Sequence, residues 1–286
     1  MNKLIVRVLI GILAVGILGY GGIIIYLLTQ ETTLVFYETY KKPISIVPPD
    51  SSYLKYQRLD IRSEDGIKLA GWIILSDHDT LKSPWLLFCH GNASDISFKD
   101  YISRYKLFTS LGFNVLTFDY RGFGESEGTP SEAGLYKDVT AGYKYLTISK
   151  HISPDRIIIY GHSLGTAVAI DLSTREPAAG LVVEAGFQSI PESAHQLYPF
   201  LPMRLLVKNK FMSIDKINRV SIPILFIYSS EDERIPISDG MALYEKAMSP
   251  KSFLLIKGSH DSAPIDSRES FCNGLSSYLK GTTAKL

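Results

Sequence analysis

The amino-acid sequence predicts an α/β domain, a mainly parallel eight-stranded sheet with helices on both faces, behind one N-terminal membrane helix. Three observations carry this prediction. Short apolar runs at residues 85–89, 113–118, 156–160, 181–183, 223–228 and 253–256 alternate with helical stretches, the pattern that parallel strands and crossover helices produce. Before them, residues 53–61 and 67–75 flank Asp65-Gly66, a pair that favours the positive φ angles of a tight hairpin. Ahead of both, residues 8–28 hold no charged side chain.

That first run is long enough, at about 1.5 Å per residue, to cross roughly 30 Å of hydrocarbon as a helix. It exceeds the core of a cleavable signal and ends in no small-x-small site, so it reads as an uncleaved anchor. A cleaved signal peptide is the rival reading, because Gly16, Gly19, Gly21 and Gly22 weaken the helix. Lys3 and Arg7 precede the span and favour an N-terminus in the cytoplasm with the domain on the non-cytoplasmic side; Lys41 and Lys42 beyond it pull the other way. The organisation is then an anchor at 1–28, a tether at 29–52 stiffened by Pro43, Pro48 and Pro49, and a domain at 53–286 with a short cap at 186–218. Within the domain, Thr129, Pro130 and Glu132 read as N-cap, first-turn proline and capping-box acid of a helix running toward Leu146.

Composition narrows the function classes. With 45% apolar and 21% charged residues the 286-residue chain is neither disordered nor collagen-like, and a formal net charge of +1 gives no electrostatic ground for a nucleic-acid partner. Two cysteines cannot build a disulfide framework or a four-ligand zinc site. Cys89 lies in an apolar run and reads as a small buried hydrophobe.

The chemistry is concentrated at strand ends, where parallel sheets place their sites. Gly161-His162-Ser163-Leu164-Gly165 follows the apolar run 156–160 and precedes a helical stretch, so Ser163 stands at a strand-to-helix turn and is the candidate nucleophile. Gly124-Glu125-Ser126-Glu127-Gly128 matches the same pattern, but Ser126 follows a polar turn and leads into Thr129-Pro130, without strand or helix beside it. A serine hydroxyl needs a base, and the base an acid to orient it. Of the six histidines, His260 falls in a loop directly after the strand at 253–256. His162 should point away from its neighbour, and His78, His151 and His195 lie in polar or loop segments. Asp232 follows the strand at 223–228 and is the candidate acid, with Glu231 and Glu233 beside it as rivals. His90-Gly91-Asn92 follows the strand at 85–89; the backbone N–H groups of Asn92 and Leu164 are candidates for an oxyanion hole, and His90 reads as a brace for that loop. No metal or organic cofactor is required. In the cap, Phe187, Tyr198 and Phe200 are candidate substrate-binding residues, while Arg204, Lys208 and Lys210 add positive charge. The cap reads either as a lid over an acyl pocket or as helices packed on the sheet with their lysines in water.

These segments together resemble α/β-hydrolase serine hydrolases of the Bem46 type, the ABHD13-like group, over roughly residues 35–280. The motif Phe88-Cys89-His90-Gly91-Asn92-Ala93, the stretch 119–138 beginning Asp119-Tyr120-Arg121-Gly122, the Ser163 motif, Tyr198-Pro199-Phe200-Leu201-Pro202, and Phe211 with Ser213 carry the likeness. It implies an α/β-hydrolase fold and Ser163, Asp232 and His260 as nucleophile, acid and base. Tyr228-Ser229 departs from the His-Gly usual before the acid loop, and Gly258-Ser259-His260-Asp261 from Gly-His-Asn-Asp; neither removes a catalytic group. The expected activity is hydrolysis of a lipophilic carboxylic ester or thioester at a membrane. A catalytically silent membrane-anchored scaffold and an acyltransferase using the same triad are the alternatives.

Overall fold

The computed structural model describes residues 3–36, 53–78, 83–92 and 95–282. In chain order the elements are helix α1 (Lys3–Phe36), strands β1 (Tyr56–Arg62), β2 (Lys68–Ile74) and β3 (Trp85–Cys89), helix α2 (Lys99–Ser110), β4 (Asn114–Phe118), α3 (Glu132–Lys144), β5 (Ile157–His162), α4 (Leu164–Ser173) and β6 (Gly180–Glu184). The cap helices α5 (Ile190–Leu197), α6 (Met203–Leu206) and α7 (Ser213–Lys216) follow, then β7 (Ile224–Ser229), α8 (Ile237–Lys246), β8 (Lys251–Ile256), α9 (Ala263–Asp266) and α10 (Arg268–Thr282).

The eight strands form one sheet in the order β1-β2-β4-β3-β5-β6-β7-β8. The β1–β2 hairpin and the β2–β4 contact are antiparallel; every other pairing is parallel. Alternation along each central strand divides the core in two, as a period of two requires. Leu87, Cys89, Ile157, Ile159, Leu181, Val183 and Phe226 pack with α3, α4 and α8 on one face. Leu86, Phe88, Ile158, Tyr160, Val182 and Leu225 pack with α2 and α10 on the other. Helix α4 is buried throughout, which explains why its sequence carries no polar stripe.

Two expected boundaries differ. The helix after residue 129 is capped by Ser131, whose hydroxyl accepts from the Gly134 N–H, and it starts at Glu132. Glu132 is spent elsewhere, accepting from the Tyr136 hydroxyl and from the Lys210 N–H. The first helix does not stop at residue 28. Nothing between 29 and 36 breaks a helix, the first proline being Pro43, so α1 runs on through the start of the expected tether to Phe36. The rest of that tether, 37–52, lies outside the described residues. The two parts of α1 differ in setting: its apolar window is unburied, whereas Glu31, Val35 and Phe36 are buried against the domain.

Candidate active site

Strand β5 delivers Ser163 to a sharp turn into α4. Its backbone sits at φ 53°, ψ −121°, a conformation that costs a non-glycine residue free energy and persists only where the surroundings impose it. They do so by close approach. A Cβ on Gly165 would lie 2.0 Å from the Cys89 carbonyl oxygen, and one on Gly161 2.5 Å from Thr166 Cα. Either glycine therefore lets β5, α4 and the end of β3 meet where any side chain would hold them apart. The Ser163 N–H is bonded to the Glu184 carbonyl at 3.0 Å, which ties the turn to β6.

The loop after β8 brings His260 over this turn. Its Nε2 lies 3.0 Å from Ser163 Oγ and its Nδ1 2.8 Å from Asp232 Oδ2. With a carboxylate facing Nδ1, that nitrogen carries the proton and Nε2 is left to accept from the serine hydroxyl. Asp232 is itself held, its Oδ1 accepting from the N–H groups of Arg234 and Ile235. Burial alone would raise its pKa, but the His260 hydrogen bond and charge and these two amides outweigh it, and the carboxyl is held below the usual carboxylate range. The neighbouring acids serve the same loop differently: Glu231 accepts from the Gly258 N–H and Glu233 from the His260 N–H, each at 3.0 Å. Three consecutive acids thus hold one loop, and only Asp232 reaches the ring.

Opposite His260, Gly91 comes so close to the turn that a Cβ there would lie 3.2 Å from Ser163 Cβ. Asn92 is the next residue along this loop, and Leu164 is the first residue of α4. The loop is pinned from below: Tyr101 accepts from the Gly91 N–H at 2.9 Å, and its hydroxyl lies 3.2 Å from His162 Nδ1. His162, wholly buried, turns its other nitrogen to the His260 carbonyl at 3.2 Å, so it sits beneath the site. The Asn92 side chain donates to the Val35 carbonyl of α1 at 2.6 Å, a link that joins this loop to the end of the first helix.

His90 braces the loop, its Nδ1 facing the Gly91 carbonyl at 2.8 Å and its ring stacked on Tyr120 at 4.4 Å. Asp119 Oδ1 is 3.7 Å from His90 Nε2. Burial pushes the imidazole down to about 4, so it is neutral at physiological pH; burial and the charge of Asp95 push Asp119 well above the usual carboxylate range. Cys89 is buried as expected, its thiol pushed up to about 12 by desolvation. His78, His151 and His195 are exposed.

Sequence reasoning missed a buried ion pair behind the nucleophile. Arg104 of α2 donates to Glu184 at the end of β6 (2.7 Å) and to the Asp261 carbonyl (2.7 Å), and Tyr160 donates to the same Glu184 oxygen. Glu184 thereby carries the Ser163 amide on its backbone while its side chain, through Arg104, holds the residue after His260. The signal was a lone acid closing the apolar run 180–184. His162, His260 and Asp261 bring ligand-type atoms within 4.8 Å of one another, but those of His260 and His162 are spent on the contacts above and Asp261 pairs with Arg234 at 3.0 Å.

Phe187 is buried in the core cluster shared with Leu164 and Phe211, but Tyr198 and Phe200 are 54% and 90% exposed. Pro199 and Pro202 lie in the loop that parts α5 from α6, and the Phe200 carbonyl of that loop accepts from the Tyr20 hydroxyl of α1. Surface clefts of about 530 Å³, lined by Ile61, Lys137 and Tyr145, and about 510 Å³, lined by Gln188, Glu192 and Lys210, include no residue of the Ser163 cluster.

A serine on a strand-to-helix elbow of a mainly parallel eight-stranded sheet, facing a histidine from the last strand's loop, defines the α/β-hydrolase class. The chain belongs to the α/β-hydrolase family of serine hydrolases. The family model described as serine aminopeptidase, S33, matches residues 83–215. An uncharacterized protein of Mycobacterium tuberculosis is 34% identical over 86% of this chain and 86% of its own length. The lysophosphatidylserine lipase ABHD12 of Danio rerio is 36% identical over 59% of this chain and 48% of its own. Among solved structures, the Pyrococcus furiosus esterase Pf2001 has a TM-score of 0.70 at 22% identity, covering 84% of this chain and 98% of that one. An α/β hydrolase from Vibrio vulnificus has a TM-score of 0.72 at 20% identity, covering 87% and 92%.

Proposed function

We propose that this chain is a membrane-anchored serine hydrolase that cleaves carboxylic ester or thioester bonds of lipophilic acyl substrates through an acyl-enzyme on Ser163. The observation that carries the reading is the continuous line Ser163 Oγ, His260 Nε2, His260 Nδ1, Asp232 Oδ2, with steps of 3.0 and 2.8 Å. His260 takes the hydroxyl proton as Ser163 attacks the carbonyl and returns it to the leaving group; Asp232 holds the ring and balances the imidazolium. The N–H groups of Asn92 and Leu164 receive the oxyanion, the second with the positive end of α4 behind it. Water then attacks the acyl-enzyme by the same relay in reverse, and neither metal nor organic cofactor enters.

Support for an ester over a peptide comes from the surroundings. The apolar window of α1 is long enough to span a bilayer, which holds the site near substrates that partition into lipid, and the lipase and esterase relatives act on such bonds. The aminopeptidase name of the matching family model shares the acyl-enzyme and differs in the leaving group. Lys3 and Arg7 before the span favour a domain on the non-cytoplasmic side, against the pull of Lys41 and Lys42 beyond it.

A fluorophosphonate probe applied to full-length protein tests the mechanism. Wild type is expected to label and Ser163→Ala to remain unlabelled; labelling that survives the substitution overturns the assignment. Turnover on p-nitrophenyl esters of increasing chain length, against aminoacyl anilides, tests the substrate class. Best turnover on acetyl esters or on anilides counts against a lipophilic ester.

A further inference from the structure

The loop between α5 and α6 holds an apolar patch that the hydrolase reaction does not use. Leu197, Phe200 and Leu205 are 74%, 90% and 84% exposed, with Tyr198 at 54%. An aqueous protein rarely leaves such a cluster uncovered.

Its position along α1 says what covers it. The Tyr20 hydroxyl, in the midst of the apolar span, donates to the Phe200 carbonyl at 3.1 Å. Ile24 and Leu27 of α1 pack with Met203, Leu206 and Val207 of the cap. Tyr20 precedes residue 28, the end of the uncharged run, by eight positions, which is about 12 Å along a helix at about 1.5 Å per residue. A span that places residues 8–28 in hydrocarbon therefore carries the Phe200 loop below the membrane surface.

Much of the loop's backbone is satisfied within the protein. Backbone polar groups in hydrocarbon must be satisfied within the protein. Pro199 and Pro202 have no N–H to satisfy, Leu201 N bonds to the Tyr198 carbonyl, Met203 N to the Leu201 carbonyl and Leu205 N to the Pro202 carbonyl. The exposed Phe200 carbonyl is the one that Tyr20 meets. Cations line the rim: Arg204, 83% exposed at its side chain and 3.4 Å from Glu192, with Lys208 and Lys210 beyond it. Farther along α1, Glu31 accepts from the N–H groups of Lys208 and Asn209 and locks the cap to the helix in register.

We infer that residues 197–206 are a second membrane element, seated among the acyl chains of the leaflet nearer the domain, with Leu197, Tyr198, Phe200 and Leu205 in lipid and Arg204, Lys208 and Lys210 at headgroup level. The cap is thus not a lid in water: it fixes the depth and tilt of the domain and places its own side of the site at the acyl layer. The surface contact does not depend on the chemistry at Ser163.

Full-length protein reconstituted in phosphatidylcholine vesicles carrying acyl-chain bromines provides the test, with Phe200→Trp and Leu205→Trp as reporters. Both positions are exposed, so neither change disturbs the fold. Trp72 and Trp85 are buried and supply the background, and Met248→Trp, at a position 81% exposed after α8, is the control. Blue-shifted emission from positions 200 and 205, quenched several-fold more by brominated lipid than the control, is expected. Red-shifted unquenched emission overturns the inference in favour of a cap in water. Blue-shifted emission that brominated lipid leaves unquenched also overturns it, and shows the patch covered by a second copy of the chain.

Discussion

Residues 124–128 and 161–165 spell the same Gly-x-Ser-x-Gly pattern, yet the two turns share almost no physics. Gly124 and Gly128 take positive backbone angles, φ 49° and 89°, which follow from a tight turn in a loop, and a Cβ on Gly124 would also meet the Asp119 carboxyl side chain at 2.0 Å. Gly161 and Gly165 are needed because neighbouring backbone stands where a Cβ would be. At the first turn the serine is a brace: Ser126 Oγ donates to the Asp119 carbonyl at 2.6 Å and accepts from the Ala70 N–H at 2.9 Å, binding its loop to β2. At the second, the backbone of the serine takes the unusual angle and its hydroxyl is turned to His260. A serine whose hydroxyl is fully spent on backbone groups has no proton to give, so the pattern becomes chemistry only when strand, helix and base converge on it.

The largest effect that can break this comparison is the exchange of roles. Ser163→Ala is expected to lower ester turnover by at least about 10³-fold while Ser126→Ala retains it, measured as kcat on a p-nitrophenyl ester in detergent; equal losses would mean that both turns matter alike. Next, Asp232→Asn should reduce kcat by about 10³- to 10⁴-fold by stabilising the wrong tautomer of His260, whereas Glu231→Gln, which weakens a loop contact only, should cost far less. A similar loss in both variants would sink the distinction drawn among the three acids.

A pH effect lies between the two turns, at His90, which follows β3 and faces Asp119 at the head of the Ser126 loop. Its folded pKa is depressed to about 4 from 6.5. As pH falls below 6.5 the unfolded chain binds a proton that the folded one refuses, so stability is lost from there down to about pH 4 and by up to about 3 kcal/mol. Chemical unfolding at pH 7 and pH 5 should therefore show a steeper loss for wild type than for His90→Gln; parallel slopes would show that His90 titrates normally. The smallest effect is Ser126→Ala, which strands the Ala70 N–H and should cost about 1–2 kcal/mol in the same assay with activity intact.

Much of the molecule is legible in the amino-acid order alone because it rests on local pattern. Apolar periodicity marks the strands and their parallel arrangement, the uncharged run marks the long helix, and the order Ser163, Asp232, His260 after β5, β7 and β8 names the cluster that the fold assembles. What tertiary structure decided are the contacts between residues far apart in sequence. Which of three adjacent acids meets the imidazole depends on how the loop turns, and that is set by the amides of Arg234 and Ile235 closing on Asp232. Ser131 displaced Thr129 as helix cap because Glu132 is drawn to Tyr136 and Lys210. Arg104 and Glu184 are separated by 80 positions, so no window along the chain could pair them, although burying either charge alone would be prohibitive. Tyr198 and Phe200, aromatic and expected at the site, are exposed in a loop between two prolines, where the Phe200 carbonyl accepts from the Tyr20 hydroxyl of α1. The residue types and their order determine which chemistry the chain carries, since they set local conformation and ionisable groups; only the packed fold sets the distances of about 3 Å on which hydrogen bonding and proton transfer depend.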